Sequence, residues 1–375
     1  MKSEPLEIHV FGATIGESIA VRLPCGLWGV VDCYTPNLSA PETNPLVKFL
    51  KERGVESLEF LCLTHPHEDH YRGIGHLFVQ YSPKRVWLFG SLAQKDLYAK
   101  VAQSLKASAD SKNIDFGDTK NVDEIVSFFD LVRSEYRNSN RKPRLEICRL
   151  QLNQILFEIL DNPNVRITAL GPSGGLAMEY ESSLTKCFAL APGQLLKQLP
   201  KIDHNMISGG LLIEYGNARV ILGGDIETEA WEEAMRVIPA ERMKSGLVKV
   251  SHHGSENGYC TGLWEQMSPE KSAIAVIAPY SKQGLPSERG LSHITKNAHS
   301  TFSASLGAVK IARDWNENAV ETYFEGASAE VLVTLRALFP KARSGSSRLN
   351  GVCSFFVTSD GQITHLISGE AGKLC

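Results

Sequence analysis

The chain has 375 residues, enough to bury a sizeable core in either one large domain or two smaller ones. Hydrophobic residues make up 43% and charged residues 22%, as in folded soluble proteins and unlike disordered, collagenous or coiled-coil chains. The net charge of -3 argues against a broadly basic protein that coats nucleic acid.

The N-terminal sequence MKSEPLEIHVFG lacks the charged start and apolar run of a signal peptide. No stretch approaches about 18 apolar residues, the length that a membrane span requires. We therefore expect no membrane segment and a cytoplasmic location. The cysteines are scattered without CxxC spacing, so we expect them to stay reduced.

The first third of the chain predicts a β-meander followed by alternating strands and helices, the rhythm of a layered α/β fold. Tight turns and apolar runs separate these elements. In chain order, they are strands over Leu6–Phe11, Ser18–Leu23 and Leu27–Asp32, a helix over about Asn44–Arg53, a strand over Leu58–Thr64, a helix around Gly73–Gln80 and a strand over Arg85–Phe89.

From about Leu92 to Leu160 the pattern changes to polar helical segments, which we interpret as a mostly helical insertion at about 92–160. The two β-rich parts that flank it predict the two sheets of one sandwich, and thus a single domain over 1–375. The later predicted strands are Val165–Leu170, Gly210–Tyr215, Arg219–Leu222, Gly246–Val250, Ile274–Ala278, Gly351–Thr358 and Gln362–Leu366.

The segment LTHPHEDHYRGIG places His65, His67, Asp69 and His70 directly after an apolar strand. In extended backbone, residues two apart project to the same side, so His65 and His67 can share one ion. The turn that follows can direct Asp69 and His70 at a second ion. Zinc suits imidazole with carboxylate, with manganese or iron as alternatives. A surface loop without ligand function is disfavoured because a carboxylate interrupts the histidines at metal-ligand spacing.

The HPHEDH segment resembles the HxHxDH signature of the metallo-β-lactamase superfamily, and this resemblance implies an αββα sandwich with a helical insertion. Two later segments agree with it. In VILGGDIE, the resemblance makes Asp225 the carboxylate that bridges both metals. In VKVSHHGSENG, His252 or His253 completes the second site. Asp32 matches an early aspartate that supports the ligands.

The series NMISGGLLIEYGNARVILGGDIE and SHHGS is similar to the metallo-β-lactamase domain of bacterial competence DNA-uptake channels and to phosphorylcholine esterases. Many superfamily members have a histidine in the third metal motif. Here the stretch is IDHNMIS, so either His204 fills that position or Asn205 does. LPSERGLSHI resembles a late Pro-Ser segment that opens a helix.

The resemblance implies a dinuclear zinc hydrolase whose nucleophile is a hydroxide between the metals. The expected metal ligands are His65, His67, Asp69, His70, His204, Asp225 and His252, and the expected catalytic residues are Asp69, Asp225 and His253. The favoured substrate is a phosphodiester such as nucleic acid or a nucleotide. The alternatives are a lactonase, thioesterase or β-lactam hydrolase, and a metal-containing binding component of a multi-protein bacterial system whose protein partners bind the insertion.

Overall fold

The structure, a computed structural model, describes residues 4–12, 15–90, 122–161, 163–189, 203–305, 351–369 and 371–374. Within these ranges the strands form two eight-stranded mixed sheets, which we call sheet A and sheet B. Helices cover the outer face of each sheet.

Sheet A begins with the predicted meander, in which β1, β2 and β3 pair antiparallel. Strands β3 to β6 pair in parallel, whereas β14 pairs antiparallel with β1 and β15. Its members are β1 (Leu6–Gly12), β2 (Glu17–Arg22), β3 (Trp28–Val31), β4 (Phe60–Leu63), β5 (Arg85–Leu88), β6 (Glu146–Arg149), β14 (Gly351–Val357) and β15 (Ile363–Ser368). Their spatial order is β15-β14-β1-β2-β3-β4-β5-β6.

Sheet B is built from the later part of the chain, and its strands β10 to β13 pair in parallel. Its members are β7 (Ile155–Ile159), β8 (Val165–Ala169), β9 (Leu211–Tyr215), β10 (Ala218–Leu222), β11 (Leu247–Lys249), β12 (Ile274–Ile277), β13 (Ser300–Ser303) and β16 (Gly372–Lys373). Their spatial order is β16-β13-β12-β11-β10-β9-β8-β7.

Most of the helices lie between strands, and short 3-10 turns join several elements. The α-helices of the described ranges are α1 (Pro45–Glu52), α2 (Glu68–Tyr71), α3 (Ile74–Tyr81), α4 (Val122–Arg137), α5 (Gly174–Ala189), α6 (Thr228–Val237), α7 (Ala240–Met243), α8 (Thr261–Met267) and α9 (Glu288–Asn297). The 3-10 turns are Pro41–Thr43, His204–Ile207, Ser251–Gly254, Glu256–Gly258, Pro269–Lys271 and Ser281–Gln283.

Three apolar clusters define four layers. Successive strand residues face opposite sides, so Phe60 and Cys62 of β4 join the central cluster between the two sheets, whereas Leu61 and Leu63 pack under the helices. The cluster outside sheet A contains residues of α1, α3, α4 and α5, and the cluster outside sheet B contains residues of α6 to α9. This layering confirms the predicted α/β class and the predicted αββα sandwich.

The predicted insertion at 92–160 lies only partly within the described residues, because residues 91–121 are not among them. Its described part contains helix α4, as expected, but ends in β6 and β7, one edge strand for each sheet. These strands are four and five residues long, too short to stand out by periodicity within a polar helical segment. The single domain over 1–375 stays a prediction.

None of the helices in the described ranges is long and apolar enough to cross a bilayer. The six cysteines with described side chains are free thiols, three of them buried.

Helix α4 is joined to the turn after the histidine motif by Glu124, whose carboxylate accepts a hydrogen bond from the Gly73 N–H. The second carboxylate oxygen of Glu124 is buried without a hydrogen-bond partner. Burial raises the pKa of Glu124 to about 7, although the Gly73 N–H and Arg72 oppose the shift. The folded state therefore favours the protonated carboxyl.

We expect this preference to stabilise the fold below about pH 4.5 and to be lost as the pH rises through about 7. Between pH 5 and pH 8, the free energy of unfolding of the wild type should fall by about 2 kcal/mol more than that of Glu124→Gln. Urea unfolding at both pH values measures the difference. The exposed Glu56→Gln variant is the control and should follow the wild type. Parallel pH profiles for wild type and Glu124→Gln would contradict the expectation.

Candidate metal centre

The candidate centre lies where strands of both sheets end. In sheet A, Asp32 follows β3 and His65 follows β4 by two residues. In sheet B, Asp225 follows β10 and His253 follows β11. The carboxyl ends of parallel strands are the usual position of sites in α/β folds, because the loops there converge. The centre thus combines groups from distant parts of the chain.

Two groups of potential ligand atoms meet there and share one residue. His65, His67 and Asp225 form the first group, and Glu17, His70, Asp225 and His253 form the second. In each group, one ligand atom per residue lies within 4.8 Å of all the others. Asp225 belongs to both groups, so its two oxygens can face two cations.

The hydrogen bonds behind the imidazoles direct their Nε2 atoms into the centre. His70 Nδ1 donates to Asp32 Oδ2 at 2.7 Å. Thr64 Oγ1 donates to the same oxygen at 2.7 Å, so at its 3.0 Å contact with His65 the imidazole Nδ1 is the donor. In this tautomer each Nε2 is the nitrogen that can bind a metal, which is the usual effect of such outer contacts. The predicted supporting role of Asp32 matches this geometry.

The orientation of His253 is fixed by a hydrogen bond, a ring contact and its backbone conformation. Its Nδ1 donates to the Ala278 carbonyl at 2.8 Å, which leaves Nε2 for the centre. The Tyr280 ring stacks on it with centroids 5.4 Å apart at 27°. His252 and His253 have φ values of 46° and 53°, in the left-handed region that residues other than glycine rarely occupy. Such backbone is held only where the surroundings enforce it, and it concentrates at functional sites.

Asp225 is placed by a tight turn that only glycine permits. Gly224 has φ +53°, and a Cβ there would lie 2.3 Å from the Gly209 carbonyl oxygen. The Asp225 N–H donates to Ser208 Oγ at 2.9 Å. Its Oδ2 lies 3.6 Å from His65 Nε2, and its Oδ1 lies 3.4 Å from His70 Nε2. The carboxylate therefore lies between the two histidines.

The electrostatics of the centre without a cation depend on these carboxylates. Burial alone would lower the pKa of His253, but Asp225 and Asp69 raise it to about 10. Burial also opposes the charge on His70, yet the same two carboxylates raise its pKa well above the ordinary value. Conversely, burial would raise the pKa of Asp225, but His253 and His70 hold it well below the usual range.

Cation binding should therefore release protons. The raised pKa values of His70 and His253 favour the imidazolium form of each in the metal-free protein, and a metal must displace the added proton because imidazole binds metal in its neutral form. We expect about two protons to be released when zinc saturates the metal-free protein at pH 7. Calorimetric titration in two buffers of different ionisation enthalpy measures this number, and His253→Ala should release about one proton fewer. A heat of binding that does not depend on the buffer would contradict the expectation.

Asp69 borders the second group but belongs to neither group in the described chain. Its Oδ2 lies 3.1 Å from His253 Nε2 and 3.6 Å from His70 Nε2. Burial would raise the pKa of Asp69, but these two imidazoles hold it below its usual range. Its side chain is 14% exposed, compared with 3% for Asp225, so Asp69 is the carboxylate nearer the solvent.

The two candidates for the third metal motif both lie beside the centre. His204 packs its ring against that of His67, with centroids 5.4 Å apart, and its Nδ1 lies 2.7 Å from Tyr180 Oη. Burial, together with the nearby His67, lowers the pKa of His204 to about 3. Asn205 instead donates to Glu227 at 2.8 Å. His204 belongs to neither of the two groups of converging atoms in the described chain.

The adjacent histidines His252 and His253 have different neighbours in the structure. His253 belongs to the second group of ligand atoms, whereas His252, the expected ligand, does not. His252 Nδ1 lies 3.2 Å from Glu227 Oε1, and its Nε2 lies 3.3 Å from Asn205 Nδ2. The left-handed backbone at both positions turns the two side chains to different sides of the loop.

Sequence analysis missed Glu17 and Lys249. Glu17 begins β2, is 1% exposed and belongs to the second group of ligand atoms. Burial raises the pKa of Glu17, whereas Lys249 and His70 oppose the shift. Lys249 is wholly buried at the end of β11. A lysine inside the apolar strand LVK was the available signal, since lysine is almost never fully buried unless it is paired.

The donor set fits divalent cations. Asp225 Oδ1 is buried without a hydrogen bond, so a ligand position remains unused in the protein alone. His67 Nδ1 lies 2.9 Å from His65 Nε2, a hydrogen bond in the protein alone that a cation bound by both imidazoles would replace. Imidazole nitrogens with carboxylate oxygens suit zinc and related ions.

Fold and site together define a four-layer αββα sandwich with a buried cluster of potential metal ligands. Among the solved structures that match the chain is zinc-bound PqqB from Methylobacterium extorquens. The sequences are 13% identical, the TM-score is 0.30, and the match covers 62% of this chain and 59% of that one. The chain thus spans less than two thirds of PqqB. No protein-family model and no curated protein matches the sequence.

Proposed function

We propose that the chain is a metal-dependent hydrolase that holds two zinc ions and cleaves phosphodiesters. The observation that supports this most directly is the sharing of Asp225 between two groups of imidazole nitrogens. Structural zinc sites are usually closed cages of four ligands. The first group has three residues, and the second has three besides Glu17, which is paired with Lys249, so both groups leave positions for water or substrate.

The protein residues have distinct tasks in this proposal. His65 and His67 would hold one ion, His70 and His253 would hold the other, and Asp225 would serve both. When bound, such ions supply an acidified water and neutralise charge on a phosphoryl oxygen. Asp69 would orient the imidazoles of His253 and His70 from the side nearer the solvent.

The residues around the ligands fix the orientation of the ligand side chains. Asp32 and the Ala278 carbonyl fix the tautomers of His70 and His253. His252 is partly exposed and held by Glu227, so it is the histidine that we assign to contact with the substrate or the leaving oxygen.

The preference for a phosphodiester is supported by the resemblance of the Asn-x-x-Ser, Gly-Asp and His-His-Gly-Ser series to the DNA-uptake and phosphorylcholine-esterase domains. Nucleic acid or a nucleotide is the substrate class proposed first. Protein partners that bind the insertion belong to the alternative in which the chain is a binding component.

Two measurements test the proposal together. Elemental analysis of purified protein should find close to two transition-metal ions per chain, and bis-p-nitrophenyl phosphate should be hydrolysed. Chelation should abolish turnover, and added zinc should restore it. Turnover of a lactone, thioester or β-lactam instead would select the alternative hydrolase, and bound metal without any turnover would select the binding component. Protein without metal that gains none from zinc, manganese or iron would exclude the mechanism.

A further inference from the structure

A buried ion pair joins the two sheets beneath the metal centre. Glu17 is the first residue of β2 in sheet A, and Lys249 is the last residue of β11 in sheet B. The Lys249 ammonium lies against Glu17 Oε2, and both side chains are 0% exposed. Removing both charges from water is costly, so such a pair is weak evidence for stability alone.

The pair contacts the centre on both sides. Glu17 Oε2 lies 4.0 Å from His253 Nδ1, and a Glu17 oxygen lies within 4.8 Å of ligand atoms of His70 and Asp225. Lys249 Nζ donates to the Gly224 carbonyl at 3.2 Å, directly before Asp225. Neither oxygen of Glu17 has a hydrogen bond of normal geometry. Both charges are therefore next to groups that would hold a cation.

The two charges have opposite effects on a cation in the second group of ligand atoms. The ammonium alone would repel the cation, and the carboxylate alone would attract it and offer it a further ligand. Water screens neither charge, because both side chains are buried. Only the intact pair is close to neutral towards the cation.

We propose that Glu17 and Lys249 are positioning residues that set the affinity and ligand number of the second cation. Lys249 fixes the turn before Asp225 and keeps Glu17 out of the coordination sphere. Glu17 neutralises Lys249 so that the cation can bind above it. This inference rests on the proposed function, because it requires a cation at His70, Asp225 and His253.

The test compares Glu17→Gln, Lys249→Met and the double variant. Zinc affinity is measured by competition with a chromogenic chelator, and the thermal midpoint is measured on metal-free protein. Glu17→Gln should weaken zinc binding at one site at least about tenfold, and Lys249→Met should strengthen it at least about tenfold. The double variant should bind zinc with an affinity between those of the single variants.

The midpoints separate this role from a purely structural one. Each single variant leaves a buried charge unpaired and should lower the midpoint, whereas the double variant should regain most of it. Glu214→Gln is the matched control, because it breaks an ion pair with Arg242 at 2.7 Å outside the centre. It should lower the midpoint without a change in zinc affinity.

The proposal requires that Glu17→Gln and Lys249→Met change zinc affinity in opposite directions. If the single variants change zinc affinity in the same direction, or not at all, the proposal for Glu17 and Lys249 is wrong. The proposed function would still stand in that case, provided that the wild type binds zinc. Wild-type protein that binds no zinc would instead refute the proposed function. If Lys249→Met does not fold, Glu17→Gln must still bind zinc more weakly than the double variant, and equal affinities would overturn the proposal.

Discussion

Replacing Asp225 with asparagine should lower phosphodiester hydrolysis at least about 100-fold and reduce the bound metal below two ions per chain. Asparagine nearly preserves the shape of the side chain but removes the negative charge that both ligand groups share. The acidity of a water between two cations depends on both of them, so the loss should exceed that for a residue serving one ion. Steady-state kinetics and elemental analysis of the same preparation measure the two effects.

Asp161→Asn is the matched control, because it makes the same chemical change at an exposed position. His299→Ala is a second control, since His299 is exposed two residues beyond the end of α9. Both should keep turnover and metal content near those of the wild type. If Asp225→Asn did the same, the dinuclear assignment would be wrong at its central residue.

The His253→Ala and His252→Ala variants should differ sharply. His253 offers Nε2 to the second ligand group, so its loss should remove one of two ions and at least about 100-fold of the activity. His252 lies with Glu227 and Asn205 outside both groups, so its alanine variant should keep both ions and lose about tenfold. Metal analysis and kinetics of both variants distinguish the two roles. A lost ion in His252→Ala with two ions retained in His253→Ala would restore the order expected from sequence.

The sequence was sufficient for the layered fold and for the location of the centre. Apolar runs bounded by glycine and proline predict most strands, and observed boundaries such as Leu6–Gly12 and Phe60–Leu63 lie within two residues of the predicted ones. The short spacing of His65, His67, Asp69 and His70 makes their proximity a local property. The later Gly-Gly-Asp and His-His-Gly turns become part of the same centre only through their resemblance to a known series.

The features of the candidate centre that the sequence did not predict depend on contacts between residues far apart in the chain. No local pattern decides between His252 and His253, because their orientation follows from two successive left-handed residues after β11. Glu17 and Lys249 meet only because the two sheets face each other. The position of Asn205 beside Glu227 likewise depends on a contact over 22 residues. Neither composition nor periodicity reports such contacts.

The division of the centre between the two sheets affects how the protein can be assembled during synthesis. His70 and His253 are 183 positions apart, so a nascent chain exposes the histidine motif long before its partners exist. Sheet A is also incomplete until β14 pairs with β1, which joins Leu6 to Val357. Contacts between residues so far apart in the sequence form slowly, because closing the long intervening loop costs conformational entropy. Under the proposed function, a cation bound early would find only the ligands of sheet A, and Asp225 and His253 would join them once sheet B has formed.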